Sequence, residues 1–339
     1  GRVHARLAAA APEIELVAVV DPVESGRVAL AEETETKALA DYRQVIDDVD
    51  AAIVATPTTT HHAIGCDLLE AGLHLLVEKP LAATAAEATA LVATAEQHEC
   101  ILQVGHVERF NPGLRAVEHE LSDPKFIEAT RLSGYPFRST DIGVVLDLMI
   151  HDLEIVLSLA RSPVVGVEAL GMAVFGRYED MASARLTFAS GCVAQLTASR
   201  VSYEMRRAMH VFTSRAHAAI DFAAGTASLV KPRGDVLRRT FEFGSLSADD
   251  VDHWKQHLYD DVLARTNFAP EKVNAIAEEQ REFVASVRGK SRVRVDGAAG
   301  RDAVAVAETI LAKIADHNWD GDATGRRGPL AMPALPILP

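Results

Sequence analysis

The apolar positions of the first hundred residues follow two alternating patterns. Short, nearly continuous apolar runs predict buried strands, and between them lie longer stretches in which apolar residues recur at helical spacing. The predicted strands are 14–21 (IELVAVVD), 51–57 (AAIVATP), 74–80 (HLLVEKP) and 101–106 (ILQVGH). The predicted helices extend from the first strand to about Leu39, then over 61–72 and 85–98. This order predicts a doubly wound parallel sheet of the α/β class.

The pattern changes after Phe110. A helix to about Leu121 and a second apolar helix are followed by runs in which apolar and polar residues alternate, which predicts a largely antiparallel open sheet with one covered face. The second helix is 147–160, and the alternating runs are 183–190, 192–201, 209–214 and 218–223. Helical spacing returns at 271–288 and 300–317. We therefore expect domains at 1–110 and 111–318, with the last helix packing back towards the first domain, and a disordered tail at 319–339.

Composition and charge exclude several classes of protein. Of the 339 residues, 48% are apolar and 24% are charged, which is typical of a folded protein rather than a disordered one. The net charge of −14 argues against general binding to nucleic acid. The three cysteines are scattered, which favours a reduced, cytoplasmic protein. No apolar run reaches the roughly 20 residues needed to span a bilayer, so we expect no membrane segment.

An acidic residue, Asp21, ends the first predicted strand. In dinucleotide-binding folds such a residue bonds the adenosine ribose, and its charge disfavours a 2′-phosphate, so Asp21 predicts NAD rather than NADP. The glycine loop of such folds lies about 20 residues upstream. Gly1 occupies the place of its last glycine, so the first strand and the earlier glycines are expected to precede residue 1. A strand that happens to end in aspartate explains Asp21 equally well.

The next two predicted strands also end in polar residues. Ligands of doubly wound sheets bind at the carboxyl ends of the strands, so Thr56, Pro57 and nearby His61 are candidate cofactor contacts. A simple strand–helix turn with a capping threonine is the plainer interpretation. Lys79, just before Pro80, could hydrogen-bond a substrate hydroxyl and stabilise the alkoxide character that develops as hydride leaves. The alternative for Lys79 is a solvated loop lysine.

One largely apolar helix carries an aspartate and a histidine on the same face. Asp147 and His151 are four positions apart, about one helical turn, so their side chains project to the same side. Burying polar groups there is unfavourable unless each finds a partner. Histidine, whose usual pKa is about 6.5, suits the role of general base, and a carboxylate one turn earlier can fix its tautomer and orientation. The pair therefore predicts alcohol oxidation, with His151 as the base.

The same pair has two other interpretations. It could bind a metal ion with His106 as a third ligand, but no dense cluster of ligands accompanies it, and we expect no metal. It could also be a buried structural pair with no chemical role.

Several stretches of the chain together resemble the Gfo/Idh/MocA oxidoreductase family, which includes glucose–fructose oxidoreductase and inositol dehydrogenase. They are VVDP (19–22), ATPTTTH (55–61), VEKP (77–80), VGHVERFNP (104–112) and DLMIHD (147–152). The resemblance extends from Gly1 to about His317. It implies an N-terminal Rossmann domain that binds NAD and a C-terminal domain for substrate binding and oligomerisation.

The resemblance also implies roles for individual residues. The catalytic set would be Lys79, Asp147 and His151, with Asp21 on the ribose. Glu78 and Pro80 would shape the nicotinamide pocket, often through a cis peptide before the proline. Glycines commonly precede the Asp-x-x-x-His motif of this family, and here only Gly143 does, which leaves the local backbone conformation open.

A narrower resemblance, to family members that oxidise a UDP-sugar, is visible in VGHVERFNP, 131–159 and 191–202. It implies oxidation of the 3-hydroxyl of UDP-N-acetylglucosamine with NAD, after which a partner aminotransferase would convert the ketone into a diamino sugar for lipid A. Guanidinium groups match phosphate oxygens, so we expect substrate contacts at Arg109, Arg131, Arg138 and Arg200. His106, in the same VGHVERFNP stretch, is a further candidate substrate contact. Surface or interdomain salt bridges explain some of these arginines equally well.

Two alternative functions remain open. The substrate could be another sugar or an inositol, or the protein could be a regulator that binds NAD or a sugar nucleotide without turnover. The family resemblance also implies that the exposed face of the antiparallel sheet forms an oligomer interface, so a homodimer or homotetramer is expected.

Overall fold

The computed structural model describes residues 1–137, 142–242, 244 and 246–330. The chain divides into two compact units. Unit 1 comprises Gly1–Phe110 and Val273–Glu308, and unit 2 comprises Asn111–Lys272 and Thr309–Pro339. The predicted domains met at residue 110, where unit 1 is first interrupted, but residues 273–308 return to unit 1. None of the described helices combines the length and the apolar character needed to cross a membrane.

Helices and strands follow one another along both units. The helices are α1 (Arg2–Ala10), α2 (Glu24–Thr34), α3 (Thr58–Glu70), α4 (Ala85–Gln97), α5 (Pro112–Val117), α6 (Ile150–Ala160), α7 (Gly234–Leu237), α8 (Ala248–Gln256), α9 (Ala275–Val287) and α10 (Gly297–Asp316). The strands are β1 (Ala18–Val20), β2 (Lys37–Leu39), β3 (Ala51–Val54), β4 (His74–Glu78), β5 (Leu102–Gly105), β6 (Pro124–Leu132), β7 (Val164–Met172), β8 (Met181–Phe188), β9 (Val193–Ser199), β10 (Arg206–Thr213), β11 (His217–Asp221), β12 (Thr226–Pro232) and β13 (Leu263–Phe268).

Parallel strands form the centre of unit 1. β1 pairs with β2, and β3, β4 and β5 form a second sheet in that order, with every described pair parallel. Leu75, Leu76 and Val77 of β4 have no exposed surface, which explains why this strand reads as a continuous apolar run. α3 connects β3 to β4 and α4 connects β4 to β5, which is the crossover connection that parallel strands require. This Rossmann-like arrangement confirms the predicted fold class.

Segments from late in the sequence cover the outer edge of β5. Gln103 forms an antiparallel bridge to Asp296, and the N–H of Val104 donates to the carbonyl of Val295 at 2.9 Å. α10 then begins with glycine, and a Cβ at Gly297 would lie 2.6 Å from the side chain of Leu102. The small residues at the start of α10 therefore permit close packing on β5.

Unit 2 contains a mixed sheet of eight described strands in the order β13-β12-β11-β10-β6-β9-β8-β7. β6 and β9 are parallel, and the other neighbouring pairs of described strands are antiparallel. In β9, Ala194, Leu196 and Ala198 are buried whereas Gln195 is exposed. α6 packs against β6 and β9, and α5 packs against β11 and β12. The predicted, largely antiparallel sheet with one covered face is confirmed.

Some predicted boundaries were wrong. α2 was expected to reach about Leu39, but it ends at Thr34 because Glu35 adopts the left-handed conformation with φ of 54°. The next residues form β2, because they find hydrogen-bond partners on β1. Strands β6, β7, β12 and β13 were not predicted. Their positions depend on sheet neighbours that local periodicity does not reveal.

The first part of the predicted tail has a defined conformation. The indole of Trp319 donates to the carbonyl of Gly328 at 3.0 Å, and Arg326 forms an ion pair with Asp320. The N–H of Ala173, just after β7, donates to the carbonyl of Pro329 at 2.9 Å. The prediction of disorder is therefore wrong for 319–330, and its remainder, 331–339, lies outside the described residues.

Candidate active site

Lys79 lies directly beyond β4, at the carboxyl end of a strand whose central residues are fully buried. Its side chain is partly exposed, and its peptide bond to Pro80 is cis, as the family resemblance implied. The carboxylate of Glu78, the last residue of β4, folds back so that Oε2 accepts the N–H of Lys79 at 3.1 Å. The buried strand and this hydrogen bond together define where the lysine leaves the sheet.

Two helices distant in sequence hold Glu78. Nε2 of His4, on α1, lies 2.8 Å from Oε1 of Glu78, and Nδ1 lies 3.0 Å from the amide nitrogen of Gln280 on α9. The same amide nitrogen is 3.0 Å from the carbonyl of His4. An amide nitrogen only donates, so Nδ1 is the acceptor, and Nε2 carries the proton donated to Glu78. His4 and Gln280 are 4% and 2% exposed, so water does not compete for these bonds.

The charge state of Glu78 follows from its surroundings. Burial acts to raise the pKa of this carboxyl, but the hydrogen bond from His4 and the positive charge of Lys79 outweigh it and lower the pKa. Glu78 is therefore an ionised neighbour of the candidate catalytic lysine.

Glu279, next to Gln280 on α9, is in the opposite situation. It is buried, and within the described residues neither carboxyl oxygen has a hydrogen-bond partner. Burial, together with the charges of Glu78 and Glu282, raises the pKa of Glu279 well above its usual range. These effects favour the neutral acid at this position.

Gly105 is the last residue of β5, and His106 follows it beside the same turn. A Cβ at Gly105 would lie 3.1 Å from Oε2 of Glu78, so the absence of a side chain leaves room for the carboxylate. His106 is buried, and burial together with the charge of Lys79 lowers its pKa to about 3. A histidine with this pKa is neutral near pH 7 and is a weak base.

His61 connects two of the strand ends instead of pointing into solvent. Its Nδ1 lies 2.9 Å from the carbonyl of Pro80 and its Nε2 lies 3.0 Å from the carbonyl of Thr56, and the residue is 1% exposed. The capping threonine expected at this turn was Thr60, but α3 begins at Thr58. The Thr60 hydroxyl lies within the turn, 2.8 Å from both Thr56 Oγ1 and the carbonyl oxygen of Pro57. The imidazole thus links the turn after β3 to the turn after β4.

Asp21 and Gly1 both lie next to the ends of elements in unit 1. Asp21 directly follows β1, and its Oδ1 accepts the N–H of Val23 at 2.8 Å, which orients the carboxylate at the carboxyl end of the strand. Gly1 precedes α1, and a Cβ built on it would lie 3.8 Å from the carbonyl of Ala55, beyond the end of β3. The polar residues after β1, β3 and β4 therefore lie at strand carboxyl ends, the edge at which open α/β sheets bind ligands.

In unit 2, the segment that carries the Asp-x-x-x-His motif does not begin as an α-helix. Val145–Met149 form a π-helical turn, and α6 starts at Ile150, which corrects the predicted continuous α-helix. Such turns are frequent at functional sites. Asp147 and His151 are partly exposed, whereas Met149 and Ile150 between them are buried.

Glu179 holds the start of this π-turn. Its carbonyl accepts the N–H of Val144 at 2.8 Å, and its carboxyl Oε1 accepts the N–H of Val145 at 3.1 Å. A Cβ at Gly143 would lie 2.0 Å from the same Oε1. The single glycine before the motif is therefore required by the carboxyl group that caps the turn.

Two of the predicted phosphate ligands form buried ion pairs instead. Arg131 donates from Nε and Nη2 to the two carboxylate oxygens of Asp152 at 2.9 and 2.8 Å. Arg200 donates from Nε to Asp180 at 2.7 Å and from Nη1 to the carbonyl of Ile142 at 2.9 Å. All four charged side chains are at most 4% exposed. This geometry favours the salt-bridge interpretation of both arginines over direct contact with a substrate phosphate.

Of the two remaining arginines expected to contact the substrate, the structure describes one. Arg109 is 7% exposed and lies in the 3₁₀ turn Val107–Phe110 after β5. Arg138 lies outside the described residues. The part of the chain that the structure describes contains no group of three or more His, Cys, Asp or Glu side chains arranged to hold a metal ion.

Models of two domain families match the chain. The NAD-binding Rossmann domain of the oxidoreductase family Gfo/Idh/MocA matches residues 1–106, and the C-terminal domain of the same family matches residues 116–219. The chain belongs to the Gfo/Idh/MocA family. It is therefore an NAD-dependent oxidoreductase acting on a CH–OH group.

Individual members of the Gfo/Idh/MocA family are also similar to the chain. UDP-N-acetylglucosamine 3-dehydrogenase from Acidithiobacillus ferrooxidans is 32% identical over 93% of this chain and 94% of its own length. A crystal structure of that enzyme matches with a TM-score of 0.80 over 92% of this chain and 93% of its own. The NAD⁺-dependent scyllo-inositol 2-dehydrogenase of Bacillus subtilis is 30% identical over 60% of this chain and 65% of its length. Levoglucosan dehydrogenase with NADH, 16% identical with a TM-score of 0.76 over 93% of this chain and 94% of its own, shares the fold.

In each unit, several residues that hold the candidate site residues in place were not anticipated from the sequence. They are His4, Asp152, Glu179, Asp180, Glu279 and Gln280. The adjacent acidic residues at 179–180, directly before an alternating strand, and Asp152 directly after His151 were visible signals. His4 and Gln280 offered none, because each is one of several polar residues on its helix, and their partners lie 74 and 276 positions away.

Proposed function

We propose that the protein oxidises the 3-hydroxyl of UDP-N-acetylglucosamine with NAD⁺. The observation that carries the proposal is the similarity, over nearly the whole chain, to the Acidithiobacillus ferrooxidans enzyme of that activity. The ketone formed is a suitable substrate for an aminotransferase, so the product would become a diamino sugar of the kind used in lipid A. A homodimer or homotetramer remains a prediction for the assembly.

The residues of unit 1 fit NAD, because polar groups follow three parallel strands at their carboxyl ends. We assign the adenosine ribose to the carboxylate of Asp21, which the N–H of Val23 orients. We assign the nicotinamide side to Glu78 and Pro80, and the turn of Thr56 and Pro57 to the region between. His61 supports this surface through its two carbonyl contacts. Gly1 lies beside Ala55, the residue that follows β3. NAD⁺, when bound, supplies the acceptor for the hydride.

The chain's own residues move the proton and stabilise the oxygen. His151 accepts the proton of the sugar hydroxyl, and Asp147, on the preceding π-turn, orients the imidazole. Lys79 stabilises the negative charge that develops on the same oxygen. His106 is unsuited to the role of base because its pKa is lowered to about 3. We assign His106 to substrate contact instead. Arg109 is assigned to substrate contact as well, and Arg138 is retained as a candidate phosphate ligand.

The salt-bridged arginines have a different proposed role. Arg131 ties β6 to α6 through Asp152, the residue after the proposed base. Arg200 ties the end of β9 to the carbonyl of Ile142, just before the π-turn. We propose that both are positioning residues for the catalytic segment.

The test is turnover of a substrate panel by the purified protein. NADH absorbance would be followed with UDP-N-acetylglucosamine, UDP-N-acetylgalactosamine, myo-inositol and scyllo-inositol. Each reaction would be run with and without glutamate and a sugar aminotransferase, since removal of the ketone draws the oxidation forward. We expect NADH, or the aminated sugar, only with UDP-N-acetylglucosamine. His151→Asn should lower kcat by roughly 10²- to 10⁴-fold while leaving the affinity for NAD⁺ unchanged.

Other results would select an alternative. Turnover of an inositol but not of the UDP-sugar would favour a polyol dehydrogenase, which the similarity to inositol dehydrogenases makes a specific second candidate. Binding of NAD⁺ and of the UDP-sugar without any turnover would identify a regulator. Full turnover by His151→Asn would remove the proposed base.

A further inference from the structure

Three aromatic side chains form an exposed cluster in unit 2. The rings of Tyr135 and Phe137 meet edge to face with centroids 5.2 Å apart, and the rings of Tyr135 and Phe175 are tilted with centroids 4.3 Å apart. Phe137 is 81% exposed and Phe175 is 61% exposed. We call these three residues the aromatic cluster. Contiguous apolar surface of this kind marks a binding site more often than single exposed apolar residues do.

A buried ion pair holds the cluster in place. Oδ2 of Asp180 accepts the N–H groups of Val174 and Phe175 at 2.7 and 2.8 Å, which fixes the backbone that carries Phe175. Oδ1 of the same carboxylate pairs with Arg200 at 2.7 Å, and the Arg200 guanidinium lies 5.4 Å from the centre of the Tyr135 ring. One buried pair therefore positions two rings that come from different loops.

The cluster also adjoins the catalytic segment within the same unit. Arg200 reaches the carbonyl of Ile142, and Glu179, beside Asp180, caps the π-turn that contains Asp147. Phe175 is four residues from Glu179, so their Cα atoms are at most about 14 Å apart. The rings and the proposed catalytic pair are thus within the reach of one extended nucleotide sugar.

We propose that the aromatic cluster of Tyr135, Phe137 and Phe175 binds the pyrimidine base of the nucleotide-sugar substrate by stacking. The proposal rests on the proposed function, because only a nucleotide substrate carries such a base. A base presents a flat π surface that matches exposed rings, whichever base it is. A stable protein interface buries about 800 Å² on each partner, far more than three side chains provide. A small planar ligand therefore suits the cluster better than a second protein.

The experiment compares single substitutions in the intact protein. Stacking energies of about 1–3 kcal/mol correspond to roughly a 5- to 150-fold change, so Phe175→Ala should raise the KM for UDP-N-acetylglucosamine by about that factor. kcat at saturating sugar and the KM for NAD⁺ should not change. The dissociation constant of UDP, measured by titration calorimetry, should rise by the same factor. Phe175→Tyr keeps the ring and should keep the affinity.

Tyr259→Ala is the matched control. Tyr259 is an aromatic residue with 54% exposure, and it lines a cavity of about 500 Å³ together with residues of β10–β13, at the other end of the strand order from β7 and β8. Its removal should leave both KM values and UDP affinity unchanged.

The outcomes separate this inference from the proposed function. If the parent protein oxidises the UDP-sugar but Phe175→Ala and Phe137→Ala keep its KM and UDP affinity, the base lies elsewhere and the inference is wrong. The inference would also be overturned if Phe175→Ala and Phe137→Ala lowered the molar mass measured by light scattering and left the UDP affinity unchanged, because the cluster would then join two copies of the chain. If the parent protein neither binds UDP nor oxidises the UDP-sugar, the proposed function itself fails.

Discussion

Removal of one partner of the buried pair of Arg131 and Asp152 should destabilise unit 2 strongly. Both side chains are 4% exposed, and two hydrogen bonds of 2.9 and 2.8 Å join them. Asp152→Ala leaves a guanidinium in a site from which water is excluded, a change that typically costs about 3–5 kcal/mol. At roughly 2–4 °C per kcal/mol for a unit of this size, the melting temperature should fall by about 6–20 °C.

The two tryptophans make this measurement specific. Trp254 and Trp319 both belong to unit 2, so intrinsic fluorescence during urea unfolding reports on that unit, while circular dichroism reports on the whole chain. We expect the fluorescence midpoint to move to lower urea concentration in Asp152→Ala. The double variant Arg131→Met with Asp152→Leu removes both charges, and it should recover most of the lost free energy because no unpaired charge stays buried.

Two results would refute this reasoning. A loss of less than 1 kcal/mol in Asp152→Ala would mean that water reaches the guanidinium, since exposed pairs contribute about that little. A stable double variant whose KM for the UDP-sugar rises by more than about 10-fold, equivalent to 1.4 kcal/mol, would return Arg131 to the role of a substrate ligand. A KM that stays within about 3-fold would support the positioning role.

Three further predictions concern single residues. His4→Ala removes the donor to Glu78 and should lower kcat about 10-fold. Because that hydrogen bond lowers the pKa of Glu78, its loss should also move the acidic limb of the kcat/KM–pH profile to higher pH, and His4→Gln should partly reverse both changes. An unshifted profile would mean that His4 is merely structural. Gly143→Ala places a Cβ in collision with the Glu179 carboxyl, and the loss of about 1–2 kcal/mol of capping should lower kcat by roughly 5- to 30-fold. Gly166→Ala, where the nearest atom is at 3.5 Å, is the control, and equal activities of the two variants would contradict the role of Glu179. Burial and the charges of Glu78 and Glu282 raise the pKa of Glu279 in the folded state, so its contribution to stability is fully present below the unfolded carboxyl pKa and is lost as pH rises through the folded one. In thermal melts Glu279→Gln should therefore gain stability relative to the parent as pH rises above the usual glutamate pKa of about 4.3, and a pH-independent difference would exclude this titration.

Much of the fold could be predicted because periodicity reports on burial. The continuous apolar centre of β4 predicted a strand covered on both faces, and the alternation in β9 predicted a strand covered on one face. β2 was missed because three residues of mixed polarity become a strand only beside β1. The π-turn at Val145–Met149 was missed because the spacing of apolar residues is the same in either helix type over so short a stretch.

The sequence by itself determined where each proposed catalytic residue leaves its element. Lys79 had to follow a buried parallel strand, and Asp147 and His151 had to share the less buried side of an apolar segment, because local hydrophobic pattern decides both. Only the tertiary structure decided the partners of the charged groups. Arg131 and Arg200 could have faced phosphate or carboxylate, and they meet Asp152 and Asp180 because strand pairing and helix packing bring those carboxylates within 3 Å. A polar side chain takes its role from the groups that surround it after folding, and those groups are distant in the chain.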